Sequence, residues 1–322
     1  MLPIAVDAMG GDKAPDEIVE GAKQAVEALG VPVILVGDPD RLGETGGLEV
    51  LPASEVVGMA DDPATGVRRK KDSSIVRAAE AVRDGKASAM VSAGNTGAAM
   101  AAALLRMGRL SGVPRPAIAT PIPVPGSTPT VLLDAGANAD CEPGWLLQFA
   151  QMGSTFASAR YGIESPRVAL LSIGEEKSKG NILVKEAHAL LAESGLHFIG
   201  NVEGRDLMTD AADVVVTDGF TGNVALKSLE GALRFLVGAV IAAIGTSDET
   251  RQAGDVLLPA LAPVADEIDP DATGGAMLLG VKGVCIISHG SSSARAVVNA
   301  VRVAAEMVEG GLVARLSDAV RA

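Results

Sequence analysis

Residues 3–37, PIAVDAMGGDKAPDEIVEGAKQAVEALGVPVILVG, decide the fold class of this chain. Pro3 to Ala8 is an apolar run with the character of a strand, Asp16 to Leu29 repeats its apolar residues at helical spacing, and Val31 to Gly37 returns to strand. Strand, helix and strand in that order form a βαβ opening. The alternation recurs around Ser92, Asp134, Arg167 to Ile173, Ala212 to Thr217 and Val284 to Ser288. It predicts an α/β fold, a layered α/β/α sheet with helices on both faces. Two stretches break the pattern. Gly112 to Pro129 is rich in proline and reads as a strand edge or crossover with fixed turns. Thr246 to Gly275 mixes acids, glycine and prolines, and follows a long apolar helix expected over Asn223 to Gly245. With no repeat of fixed period, the expectation is one domain over 1–322 with a protruding helical excursion at about 223–270.

Composition narrows the function. Of 322 residues 48% are hydrophobic and only 2% aromatic, so the core is packed aliphatics and base stacking on aromatic platforms is disfavoured. A formal charge of −13 argues against nucleic acid, whose phosphates need a positive footprint. The two cysteines, Cys141 and Cys285, sit in no spaced cysteine or histidine cluster, which predicts no disulfide framework and no metal site and fits a reducing cytosol. The strongly apolar stretch Ala232 to Gly245 carries Arg234 and is too short to span a bilayer. The expected location is cytoplasmic, with room for peripheral contact at the inner face of the membrane.

Five apolar runs end in loops of glycine and small polar residues: Asp7 to Asp12, Ser92 to Gly97, Asp134 to Asn138, Asp218 to Asn223 and Ser288 to Ser293. Bare backbone N–H groups at a strand end, with a helix N-terminus behind them, bind anions. Five such loops suggest strand ends converging on one crevice. Each has a plainer reading beside the functional one. Asp7, Gly10, Gly11 and Asp12 would let backbone approach a ligand, or form a tight turn with Asp12 as a helix cap. Ser92, Asn95 and Thr96 make a phosphate cradle or an N-cap, and Asp134 with Asn138 repeats that ambiguity. Asp218, Thr221 and Asn223 precede Lys227, which shares a helix face with Asn223 and would point back at the loop as a fixed ammonium, or snorkel at the surface. His289, with Ser291, Ser292 and Arg295, makes an anion pocket or is a hydrogen-bonded structural histidine. Glu175 to Asn181 is a solvated turn or a charged lid, with Lys179 and Asn181 as its candidate ligands. Arg68, Arg69, Lys70 and Lys71 form the dense basic run of an acidic chain: a solvated face, or a dock for an acidic macromolecule or a phosphate.

In order along the chain, Val6 to Asp12 with Ala14-Pro15, Val67 to Ser74, Ser92 to Gly97, Leu133 to Asn138, Gly200 to Glu203 with Arg205-Asp206, Val214 to Gly231 and His289 to Ser292 resemble the bacterial phosphate acyltransferase family, PlsX. The resemblance implies a fold similar to isocitrate and isopropylmalate dehydrogenases and phosphotransacetylases. It also implies a homodimer that moves a fatty acyl group from acyl carrier protein to inorganic phosphate without a cofactor. The acyl phosphate then supplies glycerol-3-phosphate acylation by a downstream membrane acyltransferase in phospholipid synthesis. In the family a helical hairpin helps to dimerise and touches the membrane. Here residues 224–270 hold Lys227, Arg234 and Arg251 against seven acids, so attraction to anionic lipid would be poor. The apolar segment Val256 to Val264 is the expected inserting tip, giving weak hydrophobic contact.

A thioester is already activated, since its leaving thiolate has a pKa of roughly 8.5. Phosphate attacks directly, and the protein must hold the dianion, align it and stabilise the oxyanion. Lys227, Asn223 and His289 are the expected catalytic residues, the loop residues above bind substrate, and Arg68 to Lys71 dock the carrier protein. A covalent route through Cys141 rests on residue type alone. Two other readings are a nicotinamide-dependent dehydrogenase of the isopropylmalate type, and a non-catalytic acyl- or phosphate-binding regulator. The missing G-x-G-x-x-G counts only slightly against the first, because that family does not use it.

Overall fold

The computed structural model describes residues 1–321, built on an eleven-stranded sheet. In chain order the elements are β1 (Ile4–Asp7), α1 (Asp16–Leu29), β2 (Val33–Gly37), β3 (Glu49–Pro52), α2 (Pro63–Arg69), α3 (Ser74–Arg83), β4 (Ala89–Ser92), α4 (Thr96–Ala102), β5 (Ala117–Ile122), β6 (Thr130–Leu133) and α5 (Pro143–Tyr161). There follow β7 (Val168–Leu171), α6 (Ile182–Ala192), β8 (Phe198–Val202), β9 (Val214–Val216), α7 (Gly219–Ile244), α8 (Asp248–Glu267), β10 (Ala276–Leu279), β11 (Val284–Ile287), α9 (Ala294–Glu309) and α10 (Leu312–Ala319). The opening βαβ unit forms as expected: Ile4 to Asp7 pair in parallel with Val33 to Val36. Alternating side chains of each strand enter different cores. Ile4, Val6, Val33 and Leu35 pack with Ile18, Ala22 and α9, whereas Ala5, Ile34 and Val36 pack with Ile75, Ala79 and α4. That two-residue period places helices on both faces.

Strand direction divides the sheet. Its order is β3-β2-β1-β4-β11-β10-β5-β6-β9-β7-β8. β3, β2, β1, β4 and β11 are parallel, β10 is antiparallel to both β11 and β5, and β6, antiparallel to β5, begins a second parallel group with β9, β7 and β8. The five glycine-rich loops do follow β1, β4, β6, β9 and β11, yet they do not share one sheet edge. Those after β6 and β9 leave strands that run opposite to β1, β4 and β11.

The proline-rich stretch contains β5, which lies inside the sheet rather than at an edge. Ala117 to Ala119 pair with β10, and Thr120 to Ile122 pair with β6. Each half of the strand is thus paired in the ladder on one side, and Pro121, which has no N–H, stands in the half paired with β6 alone.

Residues 246–275, read as part of a helical excursion with an apolar tip at Val256 to Val264, place that tip differently. Most of them form α8, capped by Ser247, whose Oγ accepts from Thr250 N at 3.2 Å. α7 and α8 are joined at 245–247, so Val256 to Val264 lies within α8 and not at the tip of the pair. Leu257, Leu258, Leu261 and Val264 form an exposed stripe on it at helical spacing.

Two glycines of α7 calibrate its packing. A Cβ on Gly222 would collide with the carbonyl oxygen of Asp134, whereas one on Gly231 meets nothing within 4 Å. Gly222→Ala is expected to destabilise the protein by about 1–3 kcal/mol through overpacking. Gly231→Ala is expected to stabilise it by about 0.5–1 kcal/mol through helix propensity. Chemical denaturation of both variants checks the opposite signs.

Candidate active site

The loops of the first strand group are tied to each other. Asp7 is buried at the end of β1, where its Oδ2 accepts from Ser92 Oγ at 2.7 Å and Ser92 Oγ in turn accepts from Gly94 N at 3.1 Å. Burial pushes the Asp7 carboxyl above its ordinary value, against hydrogen bonds from Ser74, Ser92 and the Met9 and Gly10 N–H groups. Gly10 packs so closely on Asp7 and Gly94 that a Cβ would stand 2.9 Å from the Gly94 backbone, and Asp12 N donates to Gly290 O at 2.7 Å. Asn95 caps α4 through Ala98 N at 3.0 Å and gives Nδ2 to Met59 O at 3.0 Å.

The second group is organised by Asp134. Its Oδ1 accepts from Ile118, Gly136 and Ala137 N at 3.0, 3.1 and 2.9 Å, and its Oδ2 from Asn138 N and Nδ2 at 2.8 and 2.9 Å. Asn138 also gives Nδ2 to Pro116 O, and its carbonyl accepts from Gly219 N at 2.7 Å, which seats the start of α7 on this loop.

α7 brings the groups together. It packs Ala225, Leu226 and Leu229 on the sheet, and that orientation carries Asn223 and Lys227 over the central strands. Asn223 donates Nδ2 to Ala135 O at 3.2 Å. Lys227 Nζ lies 2.8 Å from Glu230 Oε2 and 3.4 Å from His289 Nε2, whose Nδ1 is 3.0 Å from Ser291 Oγ. A lysine ammonium has only protons to offer, so Nε2 accepts and Nδ1 carries the hydrogen directed at Ser291. Ser292 Oγ donates to His289 O at 2.6 Å and fixes the backbone beneath the ring.

Asn223, Lys227, Glu230 and His289 line a cavity of about 280 Å³ with Thr96, Ser288, Ser292, Ile118, Thr120 and Ala276; Ser291 supports His289 from outside that lining. Thr120 Oγ1 and Ser288 Oγ are buried and have no hydrogen-bond partner among the described residues. Both residues line the cavity that holds the lysine ammonium, and a cation in a cavity of this size suits an oxyanion or phosphate whose charge it balances. Thr120, Glu230 and Met59 escaped the sequence reading, which held Ser288 only as the first residue of its loop. Glu230 was detectable three residues from Lys227, but Thr120 sits in an ordinary β run and becomes a wall only through the pairing of β5.

Other expected ligands lie elsewhere. Asp7, Ser92, Asp134 and Asn138 spend their polar atoms on the loops and stand behind the cavity as scaffold. Asp218 caps α7, accepting from Thr221 N and Oγ1 at 2.8 Å each, and Asn181 caps α6 through Val184 N at 2.9 Å. Asp218, Thr221 and Asn181 share a separate depression with Cys141. Lys179 is exposed on the loop after β7. In the basic run Arg68, Arg69 and Lys71 are exposed, whereas Lys70 donates to Val56 O at 2.8 Å and Asp61 Oδ2 at 2.6 Å. Lys70 therefore holds the segment that carries Met59 to the cavity. Among the described residues no group of three metal-ligating side chains occurs, and no helix is long and apolar enough to cross a membrane.

A family model described as "Fatty acid synthesis protein" matches residues 2–315. The phosphate acyltransferase of Heliobacterium modesticaldum is 49% identical, over 98% of this chain and 97% of its own length. That of Pelotomaculum thermopropionicum is 51% identical over 97% and 93%. The chain belongs to the phosphate acyltransferase family. It is an acyltransferase that uses phosphate as acceptor, and these relatives do not favour the dehydrogenase reading. Among solved structures, a phosphotransacetylase from Streptococcus pyogenes superposes with a TM-score of 0.65 at 16% identity, over 96% of this chain and 94% of its own. A 4-hydroxythreonine-4-phosphate dehydrogenase from Klebsiella pneumoniae gives 0.55 at 14% identity, over 96% and 100%. At these identities the likeness is one of fold, a mixed α/β architecture with a large central sheet.

In a phosphate acyltransferase a thiol in a surface depression invites a covalent route. The Cys141 thiol is pushed up to about 12 by burial and by the carboxylates of Asp134, Asp218 and Asp140, against the N–H of Gly219. A thiol so protonated is a poor nucleophile, and its depression is not the Lys227 cavity. Cys141→Ser is expected to keep kcat/KM for phosphate-dependent thioester cleavage within about twofold. A loss of several orders of magnitude in that assay would restore the covalent route.

Proposed function

We propose that this chain transfers a fatty acyl group from an acyl carrier protein thioester to inorganic phosphate, with direct attack of phosphate on the thioester carbonyl. The observation that carries the reading is the cluster of Lys227, His289 and Asn223 in one cavity. In this account Lys227 balances the charge of the phosphate and of the oxyanion. Glu230 and His289 hold the ammonium in place, and Asn223 orients oxygen atoms. The thiolate leaves without an acid, and no side chain is acylated. Arg68, Arg69 and Lys71 are the proposed contact for the acidic carrier protein.

Phosphate-dependent thiol release from acyl carrier protein thioesters, with acyl phosphate as co-product, tests the reaction. Lys227→Ala is expected to lower kcat by about 10²- to 10³-fold. A folded Lys227→Ala protein with full activity would remove the residue from the mechanism.

We further propose a homodimer whose α7 and α8 surfaces take part in association and in weak membrane contact. Exposed Phe235, Ile241, Val256, Leu257 and Leu261 support this, since apolar stripes of this extent mark interaction surfaces. The surrounding charge is acidic, so vesicle binding in a flotation assay is expected to survive moderate salt. Binding that collapses with salt would contradict the hydrophobic account.

A further inference from the structure

A second groove, of about 330 Å³, adjoins the Lys227 cavity, and its lining is mainly apolar. Ile122 and Met208 form one wall, Leu229, Leu233 and Val237 of α7 a second, and Ile268 just beyond α8 closes it. The α7 positions fall four residues apart and so present one stripe that leads away from Lys227. The two spaces share Thr120, Leu226, Glu230 and Thr273. Thr120 therefore marks the junction of a polar chamber with an apolar one.

An acyl thioester undergoing attack by phosphate has the same division. Its carbonyl carbon meets a dianion on one side, and its chain continues on the other as hydrocarbon, which water solvates poorly. We propose that this groove holds the hydrocarbon chain of the acyl substrate, with the carbonyl at Thr120 and the methyl end between Val237 and Ile268. The inference rests on the acyl-transfer reading and adds the chain-binding subsite to it. Because Ile268 follows α8, the helix pair becomes part of the substrate site as well as an exposed surface. The far end of the groove then sets the acyl length that the enzyme prefers.

The test measures kcat/KM for saturated carrier-protein thioesters of increasing length. In the wild-type enzyme kcat/KM is expected to rise by up to about fourfold per methylene while the chain fills the groove, and then to level off. Leu233→Trp is expected to lower the ratio of long-chain to short-chain kcat/KM at least tenfold. Val237→Trp, farther along the stripe, should act only on longer chains. Equal loss at every length, or one cut-off for both variants, would overturn the proposal. So would a changed oligomeric state accompanying uniform loss, which would assign the groove to an interface between copies. Binding of a fluorescent long-chain fatty acid, measured without phosphate or carrier protein, tests the groove separately. It is expected to weaken at least tenfold in Leu233→Trp, and unchanged binding in both variants would also overturn the assignment. No phosphate-dependent release from any thioester, with fatty acid still bound by the groove, would instead sink the acyl-transfer reading.

Discussion

The buried carboxylate of Asp134 is the joint on which the two halves of the sheet depend. Five N–H bonds converge on it from Ile118, Gly136, Ala137 and Asn138. One comes from β5 and the rest from the loop after β6, so a single side chain fixes two strands that run in opposite directions. Burial raises the carboxyl above its ordinary value, while these donors favour the charged form. Replacing the carboxylate would leave several inward-facing N–H groups without an acceptor, a cost that grows with each one stranded. The same loop seats Gly219 and Gly222, and so sets where α7 starts and which way Lys227 points.

From that joint the site follows as a meeting of two supports. One is the group of loops after β1, β4 and β11, locked by Asp7, Ser92 and the contact of Asp12 with Gly290. The other is α7, which leaves the opposite strand group and crosses the central strands. Lys227 and His289 come within 3.4 Å because two separately rigid pieces are held at a fixed distance. Such preorganisation suits a reaction in which the nucleophile and the leaving group need little help. What remains to be supplied is orientation and charge.

The helical outgrowth shows the same economy. α8 carries charged residues and two internal prolines, Pro259 and Pro263, and Gly254 is its buried residue. It contributes little to the core, yet Ala265 near its end lines the apolar groove beside the Lys227 cavity.

Much was legible in the sequence. Strand and helix periods marked β1, α1 and β2, because side-chain spacing is a local property of the backbone. The five loops were placed at strand ends, and Asn223, Lys227 and His289 were singled out by residue type in those loops. Local pattern did not reveal strand direction. Reading β5 as an edge or crossover missed its place inside the sheet, and loops of one crevice leave strands of opposite direction, because the sense of a strand is decided by partners far away in the chain. It also did not separate scaffold from contact: Asp7, Asp134 and Asn138 look as ligand-like as Asn223, and only the count of internal donors and acceptors distinguishes them. The sequence by itself determined the alternation of elements, the family and the chemistry of the loops. Tertiary structure alone decided that Thr120 and Ser288 line the cavity, that Lys70 is an anchor and that an apolar groove adjoins Lys227, because each depends on which distant residues packing brings together.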